Sequence, residues 1–152
     1  MPSRQRDRMD IVETVKQKLG SNAKKFFKKN DQRYYIDIDK NDIVDCARVL
    51  FAELGMRFAI ATGIDTPAGI EILYHFSHDK TGKMFMLRAL IENKEKPEID
   101  SLTVIAKAFE WIEREIWELL GVNFKGHPDM RHLLLTEDWP EGEYPLRQKP
   151  KK

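Results

Sequence analysis

The chain has 152 residues, of which 41% are hydrophobic and 34% charged. That is enough for one domain, or one domain plus a tail, and too apolar for wholesale disorder. The longest uninterrupted apolar runs, such as Phe58-Ala59-Ile60-Ala61 and Met84-Phe85-Met86-Leu87, reach four residues. A membrane span needs about 20. The single cysteine, Cys46, excludes an internal disulfide and any cysteine-clustered zinc or iron–sulfur site. The first ten residues are charged and have no apolar stretch behind them, so no secretory leader is expected.

The net charge of +1 hides a segregated pattern. Residues 1–40 hold 11 Lys/Arg against 6 Asp/Glu, and residues 41–91 hold 5 against 6. Residues 92–143 hold 6 against 13, and residues 144–152 hold 4 against 0. Blocks of opposite sign suit docking against other charged surfaces.

In chain order, Ile11, Val12, Val15 and Leu19 share one side of a helix near Asp10–Leu19, with Gly20 as its stop. Lys24-Lys25-Phe26-Phe27-Lys28-Lys29 follows. It reads either as a helix end packing its phenylalanines on a core or as a basic strip for nucleic acid. A short strand is expected around Tyr34–Asp39. A second helix, capped by Asn41 or Asp42, runs to Leu54 and ends at Gly55. The period then changes from 3.6 to 2. Phe58, Ile60, Thr62 and Ile64 are expected on one face of Arg57–Asp65. Ile70, Ile72, Tyr74 and Phe76 share a face of Gly69–Ser77, and Lys83–Ile91 is a third strand. Turn residues separate them, which predicts an antiparallel meander covered by the two preceding helices.

Ser101–Gly121 reads as one helix, or as a short helix followed by a longer one. With Phe109 at 0° and about 100° per residue, Ile112, Ile116, Leu119, Leu120, Trp111 and Trp117 belong to an apolar arc of about 240°, wider than a surface helix needs. Glu113 falls inside that arc, where a carboxylate needs a hydrogen-bonded or cationic partner. Beyond Gly121 regular structure thins, and His127-Pro128 must be extended. Thr136–Lys152 carries Pro140, Pro145, Pro150 and Gly142 together with Trp139, Tyr144 and Leu146, large groups in need of a surface.

Chemistry of its own finds little support. Cys46 lies beside an apolar helical stripe and reads as a buried thiol. Phosphate-loop and dinucleotide fingerprints are absent. Neither His75/His78 nor His127/His132 has the spacing of a helical zinc site. No catalytic, cofactor-binding or metal residues are assigned.

The segment Trp111-Ile112-Glu113-Arg114-Glu115-Ile116-Trp117-Glu118-Leu119-Leu120-Gly121, then Gly126-His127-Pro128-Asp129-Met130-Arg131, then Trp139 to Gly142 and Pro145-Leu146-Arg147, resembles one family closely. It is the 30-kDa, or C, subunit of respiratory complex I (NADH:quinone oxidoreductase). The equivalent subunit of membrane-bound energy-converting [NiFe] hydrogenases is similar. The resemblance implies an α+β domain over residues 1–135, with a small mixed or antiparallel sheet covered by helices and a long C-terminal helix. An extended docking tail over 136–152 follows. It implies a subunit of an oxidoreductase complex that binds no cofactor, substrate or nucleic acid. Such a subunit packs beside the large catalytic (49-kDa or D-type) subunit and the iron–sulfur subunits. It would meet the membrane only through that complex, on the cytoplasmic side.

By the same resemblance, Trp111, Glu113, Arg114, Glu115, Gly121, His127, Pro128, Asp129, Arg131, Trp139, Pro145, Leu146 and Arg147 are the interface or motif residues. Glu113 and Arg114 are expected to fix the helix against the tail or a neighbour. Pro128 and Pro145 pre-set extended backbone, and Arg131 and Arg147 are forks suited to carboxylates across an interface. Arg147→Ala is expected to weaken assembly and spare the isolated fold. The family commonly follows Pro-Leu-Arg with Lys-Asp-Phe-Pro, whereas this chain has Gln148-Lys149-Pro150-Lys151-Lys152. Respiratory versions are usually longer at both ends, and the short form, with Glu118 where Asp is frequent, tilts the reading toward a hydrogenase-type or other ferredoxin-linked complex.

Overall fold

A computed structural model describes residues 10–148. Residues 1–9 and the last four of the expected tail, 149–152, lie outside the described residues. Helix α1 (Ile11–Leu19) is capped by Asp10 and stops at Gly20. It buries Val12, Val15 and Leu19, the spacing read from the sequence.

Strands β1 (Lys25–Asn30) and β2 (Arg33–Ile38) form an antiparallel hairpin. The Lys/Phe run is therefore a strand, not a helix end. Its alternation sends Phe26 toward the core and leaves Phe27 56% exposed. Lys24 pairs with Asp39 and Lys28 with Asp31, so these two lysines are engaged within the chain.

Asp39, rather than Asn41 or Asp42, caps the next turn by accepting from Asn41 N at 2.9 Å. Helix α2 (Ile43–Arg48) follows and widens into a π-turn over Val49–Glu53. Gly55, at φ 65°, lets the chain leave that end. Cys46 is fully buried on α2, and burial pushes its thiol up to about 12.

Strands β3 (Arg57–Thr66), β4 (Gly69–His78) and β5 (Lys83–Ile91) make the expected meander. The five strands stand in the order β1-β2-β5-β4-β3, with β2 parallel to β5. Ile70, Ile72, Tyr74 and Phe76 are all buried, as their alternation requires. Strand β3 departs from the expected alternation. Phe58 pairs with Phe76, but Ile60 pairs with His75, so one extra residue is inserted at Ala59. This bulge flips the rest of the strand. Ala61, Gly63 and Asp65 turn inward, and Ile60 and Ile64 turn outward at 51% and 44% exposure.

Two 3₁₀ turns, Leu102–Val104 and Lys107–Phe109, precede α3 (Glu110–Leu120), so the split reading of that region is the observed one. A short parallel pair, β6 (Glu98–Asp100) with β7 (Asn123–Lys125), ties the two ends of this segment together. Helix α3 rides directly on β3. A Cβ at Gly63 would stand 2.5 Å from Leu120 Cδ1 and 3.2 Å from Ile116 Cγ2. Phe109 is the aromatic hub of the core, 4.5 Å from Phe58 and 5.5 Å from Phe51 by ring centroids. None of the described helices is long and apolar enough to cross a membrane.

Candidate interface on the C-terminal helix and tail

Helix α3 is the frame on which the loop 127–135 and the tail are hung. Three of its charged side chains are buried: Glu113, Arg114 and Glu118. Each is satisfied within the chain, as a buried charge must be.

Glu113 faces the sheet. Its Oε1 accepts from Leu102 N at 2.7 Å and from the Tyr74 hydroxyl at 3.3 Å, and its Oε2 accepts from the Ser101 hydroxyl at 2.6 Å. Burial raises its pKa to about 7, against the opposing pull of these donors. The Tyr74 hydroxyl is pushed well up, first by burial and then by the Glu113 charge.

Arg114 points the other way. Its Nε donates to Arg131 O at 2.9 Å and its Nη2 to His132 O at 2.6 Å. Glu118, one turn on, collects the amides of the same loop: Leu133 N at 2.9 Å, Leu134 N at 2.7 Å and Leu135 N at 3.3 Å. Burial pushes this carboxyl up, but the three amides and His132 outweigh it and hold it below the usual range. One guanidinium for carbonyls and one carboxylate for amides thus pin an irregular loop to a helix. His127 adds a third pin. Its Nδ1 accepts from Asp129 N at 3.0 Å, which leaves the proton on Nε2 to donate to Glu110 O at 2.9 Å.

The tail is held the same way. Gly121 ends α3 at φ 79°, and a Cβ there would lie 2.6 Å from Tyr144 Cε2. Leu146 N donates to Leu119 O at 2.9 Å. Arg147 donates to Leu120 O at 3.1 Å and to Lys94 O at 2.7 Å, and its Nε lies 3.6 Å from Asp65 Oδ2. Gln148 N completes the clamp on Asp65 Oδ2 at 2.7 Å. Asp65 Oδ1 has no hydrogen bond of good angle, but Lys94 Nζ stands 2.5 Å from it, and that ion pair satisfies it. Burial pushes the Asp65 carboxyl up, and Lys94, Gln148 N and Arg147 together hold it down.

The expected motif residues therefore divide. Glu113, Arg114, Gly121, His127 and Arg147 fasten parts of this chain to one another, and the fork expected to suit a carboxylate across an interface, Arg147, is among them. Its donors are spent on this chain's own carbonyls and carboxylate. Arg131 grips its own Asp129 with two hydrogen bonds, although it stays exposed. Pro128 and Pro145 are exposed, and Trp139 is half-buried, donating to Glu143 O at 2.8 Å. Left bare are Trp111, Leu134 and Leu146, at 68%, 64% and 55% exposure. Glu115 is half-exposed and lies beside Ile112, Leu119 and Leu146 along a groove of about 210 Å³ between α3 and β3. Sequence reasoning missed Glu118, Asp65 and Ser101. Glu118 falls near 180° from Phe109, the side read as solvent, and nothing local signals a loop folding over it.

The sequence profile of the family described as the 30-kDa subunit of the respiratory-chain NADH dehydrogenase matches residues 36–151. The chain belongs to this family. It is 37% identical over 97 residues to the C/D-type subunit of the NADH-quinone oxidoreductase of Bacteroides thetaiotaomicron, covering 62% of this chain and 18% of that one. It is 33% identical over 118 residues to the C-type subunit of the F(420)H(2) dehydrogenase of Methanosarcina mazei, covering 76% and 73%. The C/D relatives are far longer: the chain spans about a fifth of their length. Among solved structures, it superposes with TM-score 0.80 and 26% identity on a chain of the membrane-bound sulfane sulfur reductase, an archaeal respiratory membrane complex. That match covers 90% of this chain and 81% of the other. A trypsin-resistant fragment of Nqo5 shares the fold, with TM-score 0.57 and 20% identity, over 78% and 96%.

Proposed function

We propose that this chain is a non-catalytic structural subunit of the peripheral arm of a membrane-bound, proton- or sodium-translocating redox complex. In it the chain scaffolds the large catalytic (49-kDa or D-type) subunit and the iron–sulfur subunits through which electrons pass. One observation carries the reading. The family motifs spend their charges on fastening the loop and tail to α3, which holds Trp111, Leu134 and Leu146 outward on a rigid frame. Apolar groups held out on a rigid surface mark an interaction site. The tail from residue 136 serves this docking, bound to its own body by Arg147 and offering Leu146 to a neighbour. Contact with the membrane comes through the complex, on the cytoplasmic side. Glu118, where the family commonly has Asp, tilts the reading toward a hydrogenase-type or other ferredoxin-linked complex.

Purification of the tagged full chain from native membranes, with its partners identified, tests this. Large catalytic and iron–sulfur subunits are expected in stoichiometric amounts. A chain that is monomeric in the membrane extract and brings none of them would overturn the reading.

A further inference from the structure

The five-stranded sheet has two open edges, β1 and β3. They are built differently. Strand β1 carries Lys25, Lys28 and Lys29 in six residues, the usual guard against unwanted strand pairing. Strand β3 is ten residues long and has no charged side chain from Phe58 to Ile64. Its exposed residues there include Ile60 and Ile64. Beyond the bulge at Ala59 and the inward Asp65, this long edge carries no lysine and presents outward isoleucines, which makes it a template for a further strand.

The backbone specifies what covers it. The outward N–H and C=O groups of an edge strand alternate, and an extended strand satisfies them in order when water is removed. Beside this edge runs the groove between β3 and α3, walled by Ile60, Thr62, Ile112, Leu119 and Leu146, with Glu115 in its lining. Glu115 forms no ion pair among the described residues. The groove is continuous with the bare Leu146 of the interface described above. A second copy of this chain would bring its own β3, whose one cation, Arg57, is already held by Asp79 at 3.1 Å. That copy would leave Glu115 unmatched.

We propose that the free edge of β3 takes up an extended segment of a neighbouring subunit as a sixth strand. Alternate apolar side chains of that segment enter the groove, and one basic side chain meets Glu115. This rests on reading the chain as a subunit of a larger complex, and it names the mode of docking and the chemistry of the docked segment.

The test compares hydrogen exchange of residues 57–66 in the intact complex from native membranes with that in the isolated full chain. Outward amides of β3 are expected to exchange at least about 100-fold more slowly in the complex. A double variant, Ile60→Lys with Ile64→Lys, copies the guard found on β1. It is expected to keep the unfolding midpoint of the isolated chain and to cut recovery in the complex about tenfold or more. The proposal falls if β3 is unprotected in the complex, or if the double variant assembles at wild-type yield. It also falls if protection appears in the isolated chain together with a doubling of its mass, since a second copy then fills the edge. Co-purification with an unprotected β3 would sink this proposal alone. Failure of the wild-type chain to co-purify with any subunit would sink the functional reading and this proposal with it.

Discussion

Gly121 and Tyr144 are in face-to-backbone contact: the tyrosine ring occupies the place where a side chain at 121 would begin, 2.6 Å from a Cβ built there. The left-handed turn that ends α3 and the seating of the tail are therefore one feature. Gly121→Ala is expected to cost about 1 kcal/mol from its positive φ, and more from displacing the ring. The unfolding midpoint should fall by roughly 2–4 °C for each kcal/mol lost. In a Tyr144→Ala background the same substitution should cost only the backbone part. Equal losses in the two backgrounds would disprove the coupling.

Glu118 holds three loop amides with one buried carboxylate. Glu118→Ala leaves those amides without their acceptor, at about 1–3 kcal/mol for a buried group so abandoned. The expected result is fast hydrogen exchange at Leu133, Leu134 and Leu135, with exchange in β4 and β5 following only the change in global stability. Exchange that rises uniformly over the chain would contradict a local role.

Arg147 closes a clamp on Asp65, Leu120 O and Lys94 O. Arg147→Ala is expected to free Gln148 and Leu146 in the isolated chain, seen as proteolytic nicking near residues 144–148. Arg147→Lys should rescue poorly, because an ammonium cannot reproduce a fork bonded to two carbonyls. Wild-type resistance to protease in Arg147→Ala would return this residue to an interface role.

The Glu113 carboxyl has its pKa raised from 4.5 to about 7 by burial. The folded state therefore holds a proton that the unfolded state has released between those values. Stability from this group is fully present below pH 4.5 and is lost as pH rises through 7, by about 3 kcal/mol. Glu118 and Asp65, both held low, act in the opposite sense, losing stability as pH falls through their folded-state values. Glu113→Gln keeps the acceptor for Leu102 N and removes the proton. Chemical denaturation of the two forms at pH 5 and pH 8 should show a wild-type loss that the variant lacks. A parallel loss in both would reject the assignment.

Cys46 is fully buried with its thiol pushed up to about 12. It should resist alkylation in the native state and react stoichiometrically in denaturant. Rapid labelling under native conditions would mean that α2 opens far below global unfolding.

The parts of this fold that were legible in the sequence are those where one physical rule acts alone. Ile70, Ile72, Tyr74 and Phe76 alternate because β4 is central and greasy on one side, and Val12, Val15 and Leu19 follow the helical period. The illegible parts are those where tertiary contacts decide. The bulge at Ala59 moves Ile60 and Ile64 to the outer face, and no turn residue marks it. Phe26 and Phe27 sit among lysines, and only pairing with β2 shows them to be strand. The family motifs marked the stretch from α3 to the tail, where the loop and tail are fastened. They could not say which charges point inward, since Arg114, Glu118 and Arg147 find partners 17, 14 and 27 or more residues away.

The parallel seat of β2 beside β5 carries a consequence for biogenesis. Asp37 and Arg88, which bridge these strands, are 51 residues apart. At about 5–20 residues per second, the β1–β2 hairpin waits several seconds on the ribosome before its lateral neighbour exists. Once β5 has emerged, the meander β3–β4–β5, whose links are short, closes first and serves as the platform. The β1–β2 hairpin thus docks late, and its apolar side is what a nascent-chain chaperone would meet.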